Sequence, residues 1–200
     1  MKNTRNSSNK SKQYEIRIAG SGGQGIILAG IILAEAAVLN GRYVAQSQSY
    51  GPEARGGKST AEVILSDTEI DYPRALGLDL LVALTQEACD WNLRDMKPDG
   101  LVVVDSELVK RAHWGKVVSL PFWQIARRAG DGRAINMAAL GAIATVCPEV
   151  SRDSLAEVMA KRLPPDKVAI NLIAFDEALK QARDFGVHTR PVDIKDEFEI

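Results

Sequence analysis

The run Ile16-Arg17-Ile18-Ala19 leads directly into Gly20-Ser21-Gly22-Gly23-Gln24-Gly25, and from Ile26 to Val38 the chain is apolar except for Glu35. This is the layout of a strand, a glycine-rich turn and a helix N-terminus. Gly20, Gly22 and Gly25 satisfy the G-x-G-x-x-G spacing. In that pattern glycines let backbone N–H groups at a helix N-terminus approach a phosphate. A dinucleotide site also needs an acid at the end of the second strand to hold the ribose. Here that stretch is Tyr43-Val44-Ala45-Gln46-Ser47-Gln48-Ser49, with no acid, and no Lys-Ser or Lys-Thr follows the glycines as in a P-loop. The turn is therefore either a packing device or an anion cradle, and the residues alone support both.

The rest of the chain extends this frame. Hydrophobic spacing predicts strands at 14–19, 42–46, 59–65, 69–72, 78–84, 101–104 and 116–120, and helices at 24–39 and from Thr85 through Arg94. Ser47 to Lys58 has neither periodicity and reads as a polar loop, and Pro98-Asp99-Gly100 reads as a chain break. After Pro121 the spacing turns helical over 122–129, 134–146, 151–163 and 166–185. The expected fold is a doubly wound, mostly parallel α/β sheet with helices on both faces and a helical C-terminal portion. Residues 1–12 read as a disordered basic arm, 13–187 as a single domain and 188–200 as a polar, acidic tail.

Composition removes several functions. A net charge of -1 gives no pull toward nucleic acid or an anionic membrane. The longest apolar run is too short to span a bilayer, and the N-terminus lacks a signal peptide's apolar core, so a cytoplasmic location is expected. Cys89 and Cys147 form no C-x-x-C pair, so this chain alone offers no iron–sulfur or zinc ligand set, and reduced thiols are the simpler reading. His113 and His188, the only histidines, are too far apart for a triad. No catalytic or metal-binding residue is assigned. Gly130-Asp131-Gly132 lacks a preceding strand and reads as a turn. The tryptophans Trp91, Trp114 and Trp123 read as core or interface anchors.

The second candidate site is the loop Ser49-Tyr50-Gly51-Pro52-Glu53-Ala54-Arg55-Gly56-Gly57, at the end of the sheet where α/β folds take ligands. Arg55 could fork onto a phosphate or carboxylate, and Glu53 could hold Arg55 or meet a partner. Equally, the loop's charges could be simply solvated. Asn136 could reach the same end of the sheet or cap the helix it begins.

The glycine run Gly20–Gly25, the loop SYGPEARGG at 49–57, Ser59-x-x-Glu62-Val63-Ile64-Leu65-Ser66-Asp67, Asp71-Tyr72-Pro73 and a fainter Asn136-Met137-Ala138-Ala139-Leu140-Gly141 occur here in one order. Together they resemble the gamma-type subunit of the 2-oxoacid:ferredoxin oxidoreductases. The tyrosine-bearing loop is more similar to the 2-oxoglutarate branch than to the pyruvate or indolepyruvate ones. The resemblance implies a multi-subunit enzyme that decarboxylates a 2-oxoacid on thiamine diphosphate and magnesium. It passes electrons through iron–sulfur clusters to ferredoxin and delivers the acyl group to coenzyme A. Those cofactors are implied on alpha- and beta-type partner subunits, with none bound by this chain alone. Gly20, Ser21, Gly22, Gly23, Gln24 and Gly25, with Ser49, Tyr50, Glu53, Arg55, Gly56 and Gly57, would shape the face meeting those partners or coenzyme A. The isolated chain would then be inactive. The competing reading is a stand-alone nucleotide-binding oxidoreductase, against which the missing acid counts.

Overall fold

The computed structural model describes residues 13–51 and 56–185. The basic arm, the acidic tail with His188, and the loop residues Glu53 and Arg55 lie outside them. In chain order the elements are β1 (Gln13–Ser21), α1 (Ile26–Leu39), β2 (Tyr43–Tyr50), β3 (Lys58–Ser66), β4 (Leu78–Ala83), α2 (Gln86–Asn92), β5 (Met96–Asp105), β6 (Val117–Leu120), α3 (Phe122–Ala129), α4 (Ile135–Val146), α5 (Arg152–Arg162) and α6 (Pro165–Phe185). The six strands form one sheet ordered β2-β3-β1-β4-β5-β6. β1, β4, β5 and β6 run parallel, while β3 lies antiparallel between β1 and β2.

Alternation along the strands sorts the core into two unequal layers. Ile16 and Ile18 of β1, Val63 and Leu65 of β3, and Leu80 and Val82 of β4 face a large cluster built with α1 and α3 to α6. Ala19, Leu81, Ala83, Val102 and Val104 face the other side, where α2 contributes Ala88 and Cys89. Helices thus cover both faces, but five lie on one and α2 alone lies on the other. β4 is buried on both faces along Leu80–Ala83, which is why it reads as an unbroken apolar run.

Local signals set the helix ends. Thr85 Oγ1 accepts from Ala88 N–H at 3.1 Å and starts α2. Ser151 and Ser154 form a reciprocal capping box on α5, and Asn40 at the end of α1 accepts from both. Asp105, fully buried at the end of β5, accepts from the N–H groups of Glu107 and Leu108 at 2.8 Å and of Trp123 at 2.7 Å. One carboxylate thereby fixes the turn after β5 and the first turn of α3. α4 and α6 approach so closely that a Cβ at Gly141 would stand 3.0 Å from Leu179 N and nearer still to Phe175 O.

Four expectations from the sequence need correction. Ser47 to Tyr50 is strand, because backbone pairing with β3 does not depend on apolar side chains. The loop between the strands shrinks to 51–57. Residues 69–72 form no strand. Pro98-Asp99-Gly100 does not break the chain: β5 runs through it as an irregularity, with Leu78 opposite Met96 and Leu80 opposite Leu101. α1 begins at Ile26, because Gly25 is left-handed at φ 69° and so serves as its N-cap.

Candidate functional site

The sheet order places β3, not the second strand of a dinucleotide fold, beside β1, and the start of β3 meets the end of β1 at Ser21 opposite Lys58. The β2–β3 hairpin is therefore delivered to the glycine turn, and Gly22 N–H donates to Gly57 O at 2.7 Å. The missing acid after the second strand follows from this topology, since the end of β2 is one strand removed from the turn.

The turn is closed from within. Ser21 N–H donates to Gln24 Oε1 at 2.8 Å, Gln24 N–H returns to Ser21 O at 3.2 Å, and Gln24 Nε2 reaches Leu84 O at 3.4 Å beyond the end of β4. β1 and β4 flank the point where the chain's strand order reverses, the crevice where open α/β sheets seat a nucleotide. The Gln24 side chain bridges that crevice. Behind it, Asn136 is buried on α4 and donates from Nδ2 to Gly25 O at 2.9 Å. A Cβ at Gly25 would strike that amide. Gly25 is thus required both by its backbone angle and by its neighbour. Gly23 has open space where a Cβ would stand, but its φ of 95° still favours glycine.

On the α2 side of the sheet lies a cleft of about 560 Å³ that gathers both sequence motifs: Gly20 and Ser21 from the turn, Ser49 from β2, and Gly56 and Gly57 from the hairpin. Its walls add Lys58, Ser59 and Thr60 from β3 and Thr85, Ala88 and Trp91 around α2. Lys58 Nζ sits 2.9 Å above the centre of the Trp91 ring, joining hairpin to helix across the mouth. Gly22, Gly23, Gln24, Gly25 and Tyr50 are not in the cleft wall, and Asn136 lies on the opposite side of the sheet.

The cleft floor was not foreseen. Arg17 donates from Nε to Glu62 at 3.0 Å, from Nη2 to the same oxygen at 2.6 Å and from Nη1 to Asn92 at 2.9 Å, and also pairs with Asp95. The other Glu62 oxygen accepts from Ser47 Oγ at 3.2 Å and from Ala75 N–H. The available signal was a charged residue in the middle of each of two strands, Arg17 in IRIA and Glu62 in AEVI; such charges need partners across the sheet. This network ties β1, β2, β3 and the end of α2 together and leaves no uncompensated cation in the floor. The exposed part of the lining consists of hydroxyls, backbone, an indole and the charged side chains of Lys58, Glu87 and Arg94.

Among the described residues no group of three or more His, Cys, Asp or Glu could hold a metal ion. Cys89 and Cys147 are buried in separate clusters, and burial pushes both thiols up to about 11. Among the described residues, no helix is long and apolar enough to cross a membrane.

Comparison with known proteins fits this geometry. Residues 15–181 match the family model for pyruvate ferredoxin/flavodoxin oxidoreductase. The 2-oxoglutarate synthase subunit KorC of Methanothermobacter thermautotrophicus is 43% identical over 171 residues, spanning 80% of this chain and 90% of that protein. KorC of Methanocaldococcus jannaschii is 40% identical, over 85% of this chain and 94% of its own. Among solved structures, the gamma subunit of a keto/oxoacid ferredoxin oxidoreductase from Geobacter sulfurreducens superposes with a TM-score of 0.76 at 41% identity, covering 86% of this chain and 99% of that one. With its interrupted nucleotide crevice and its hairpin-bounded cleft, the chain belongs to the pyruvate ferredoxin/flavodoxin oxidoreductase family and is a gamma-type subunit.

Proposed function

We propose that this chain is the gamma subunit of a 2-oxoglutarate:ferredoxin oxidoreductase, working in the cytoplasm with alpha- and beta-type subunits that carry the thiamine diphosphate, magnesium and iron–sulfur clusters. The substrate assignment is supported by the KorC relatives, four of which are 38% to 43% identical, against 30% for a PorC pyruvate synthase subunit. A 2-oxoglutarate:ferredoxin oxidoreductase from Magnetococcus marinus, solved with 2-oxoglutarate, coenzyme A and succinyl-CoA, adds a likeness at TM-score 0.77. This chain spans 32% of that longer one.

The observation that carries the reading is the cleft joining the two motifs. It offers a binding surface whose mouth is held by Lys58 on Trp91, and the exposed Trp91 ring supplies an apolar anchor for a partner. In this role the chain completes a site on its partners and supplies anion contacts to coenzyme A from the hairpin, with Arg55 as the forked donor. Thiamine diphosphate, when bound by a partner, supplies the carbanion chemistry; this chain positions and encloses. A stand-alone dinucleotide enzyme is disfavoured by Gln24, which bridges the crevice such a cofactor would enter.

The test is reconstitution. The chain alone, given 2-oxoglutarate, coenzyme A and a ferredoxin surrogate, should show no turnover, and turnover should appear when the thiamine- and cluster-bearing subunits are added. Arg55→Ala in the complex should raise the coenzyme A KM or weaken assembly. Turnover by the chain alone, or tight calorimetric binding of NAD, NADP or FAD to it, would reverse the proposal.

A further inference from the structure

The two edges of the sheet are treated differently. β6 is four residues long, a short edge of the kind that resists adding strands. β2 closes the opposite edge with eight residues, YVAQSQSY, that carry no charge and no proline and keep an unbroken register of eight pairs with β3. Among the described residues no strand lies beyond it.

The hairpin bonds show which backbone groups are free. Gly51 N–H donates to Lys58 O at 2.7 Å, so 51 and 58 form a hydrogen-bonded pair. In an antiparallel ladder such pairs alternate. Residues 43, 45, 47 and 49 therefore bond inward to β3, while the N–H and C=O groups of Val44, Gln46, Gln48 and Tyr50 point off the sheet. The β1 side agrees independently: Gly22 bonds Gly57, so odd-numbered β3 residues face β1 and even-numbered ones face β2.

We propose that the β2 edge pairs with the β2 edge of a second copy of this chain, antiparallel about a two-fold axis through Ser47, joining two sheets into one. Outward residues must oppose outward residues, and the register that uses all of them sets Val44 against Tyr50 of the second copy and Gln46 against Gln48. Ser47 then meets its own equivalent. A two-fold axis places each side chain opposite its symmetric partner's surroundings, so any net charge on the strand would repel itself; this strand has none. The outer pairs join a β-branched residue to an aromatic one, a favourable cross-strand combination. Tyr50 is 64% exposed in the single chain, and this pairing would cover it.

The purified full chain should sediment as a concentration-dependent dimer. Gln48→Pro removes only an outward N–H, which an edge strand tolerates. It should halve the apparent mass at a protein concentration where the unaltered chain is dimeric, with an unchanged circular dichroism spectrum. Ser47→Cys should form an intermolecular disulfide under mild oxidation, because opposed non-hydrogen-bonded Cα atoms lie about 4.5 Å apart, within disulfide reach. Ser49→Cys, opposite Ala45 of the second copy, should cross-link at least tenfold more slowly, and the native cysteines are buried. A chain that stays monomeric at all concentrations, a dimer that Gln48→Pro leaves intact, or equal cross-linking by the two cysteine variants would overturn the proposal.

Discussion

Replacing Gly25 by alanine perturbs the glycine turn at its most constrained point, and the structure separates the loss into parts. Gly25 has φ 69°, and an L-residue there costs about 1–2 kcal/mol. The new Cβ would also lie 3.0 Å from Asn136 Cγ and closer to its amide nitrogen, in a site where Asn136 is only 3% exposed and has nowhere to swing. Overpacking of that kind costs about 1–3 kcal/mol, and displacing Asn136 forfeits its bond to Gly25 O, roughly 1 kcal/mol more. Gly25→Ala should therefore destabilise the chain by about 3–6 kcal/mol in urea unfolding, read from the midpoint at constant slope. Asn136→Ala alone should cost about 1–2 kcal/mol. The two should not add: with Asn136 shortened, the clash disappears and only the backbone cost of Gly25→Ala remains. The double variant should be more stable than the sum of the singles by about 2–4 kcal/mol, the clash plus the bond both singles lose, beyond the scatter expected of independent sites. Additivity within about 0.5 kcal/mol would refute the reasoning and leave the backbone angle as the sole reason for glycine.

Gly141→Ala should destabilise by about 3 kcal/mol or more in the same assay, because the methyl meets Phe175 O and Leu179 N, backbone atoms that cannot rotate away. A cost near zero would mean that α6 shifts freely on α4. Asp105→Leu should cost about 3–5 kcal/mol by thermal and urea unfolding, since it strips three N–H groups of their common acceptor at a fully buried position. Wild-type stability in that variant would remove Asp105 as the joint between β5 and α3. Burial raises the Cys89 and Cys147 thiols from 9 to about 11, so between those values the folded chain holds protons that the unfolded chain has released. Stability from these groups is complete below pH 9 and falls as pH rises toward 11. A Cys89→Ala, Cys147→Ala chain should lose less between pH 8 and 10 than the unaltered one, and equal losses would refute the assignment.

The parts of the fold legible in the sequence were those whose side chains declare their surroundings. The apolar run Leu78 to Leu84 announces a strand buried on both faces, and Thr85 and Ser151 announce helix starts because their oxygens satisfy backbone N–H groups that nothing else reaches. The end of β2 was not legible for the converse reason. Gln46-Ser47-Gln48-Ser49 is polar on both sides of the sheet, and what makes it a strand is main-chain pairing with β3, which leaves no mark on composition. Pro98-Asp99-Gly100 has every local sign of a break, yet β4 and β6 on either side hold β5 in the sheet and absorb the extra residues as an irregularity. In the site, the two glycine-bearing motifs were visible, but not their meeting, because antiparallel insertion of β3 beside β1 is a long-range choice. Nor could the Arg17 floor be read, since Glu62 and Asp95 come to it from two other elements.

The glycine spacing is the same in a nucleotide fold and here, so what distinguishes them must lie in what meets the turn. In a dinucleotide site the donors of the turn stay open and the crevice between the first strand and its neighbour across the reversal point is left for the pyrophosphate. In this chain Ser21, Gly22 and Gln24 donate to Gln24, Gly57 and Ser21, and the Gln24 amide crosses to Leu84 O. The glycine requirements then acquire separate physical causes: Gly20 because Gln24 folds over it, Gly23 because its φ is 95°, and Gly25 because it must turn left-handed beneath Asn136. The last cause accounts for the fainter motif too. In Asn136-Met137-Ala138-Ala139-Leu140-Gly141 the first residue braces the turn and the last admits α6, so one helix transmits the position of the C-terminal layer to the glycine turn. On the α2 side of the sheet the same turn forms one corner of the open cleft.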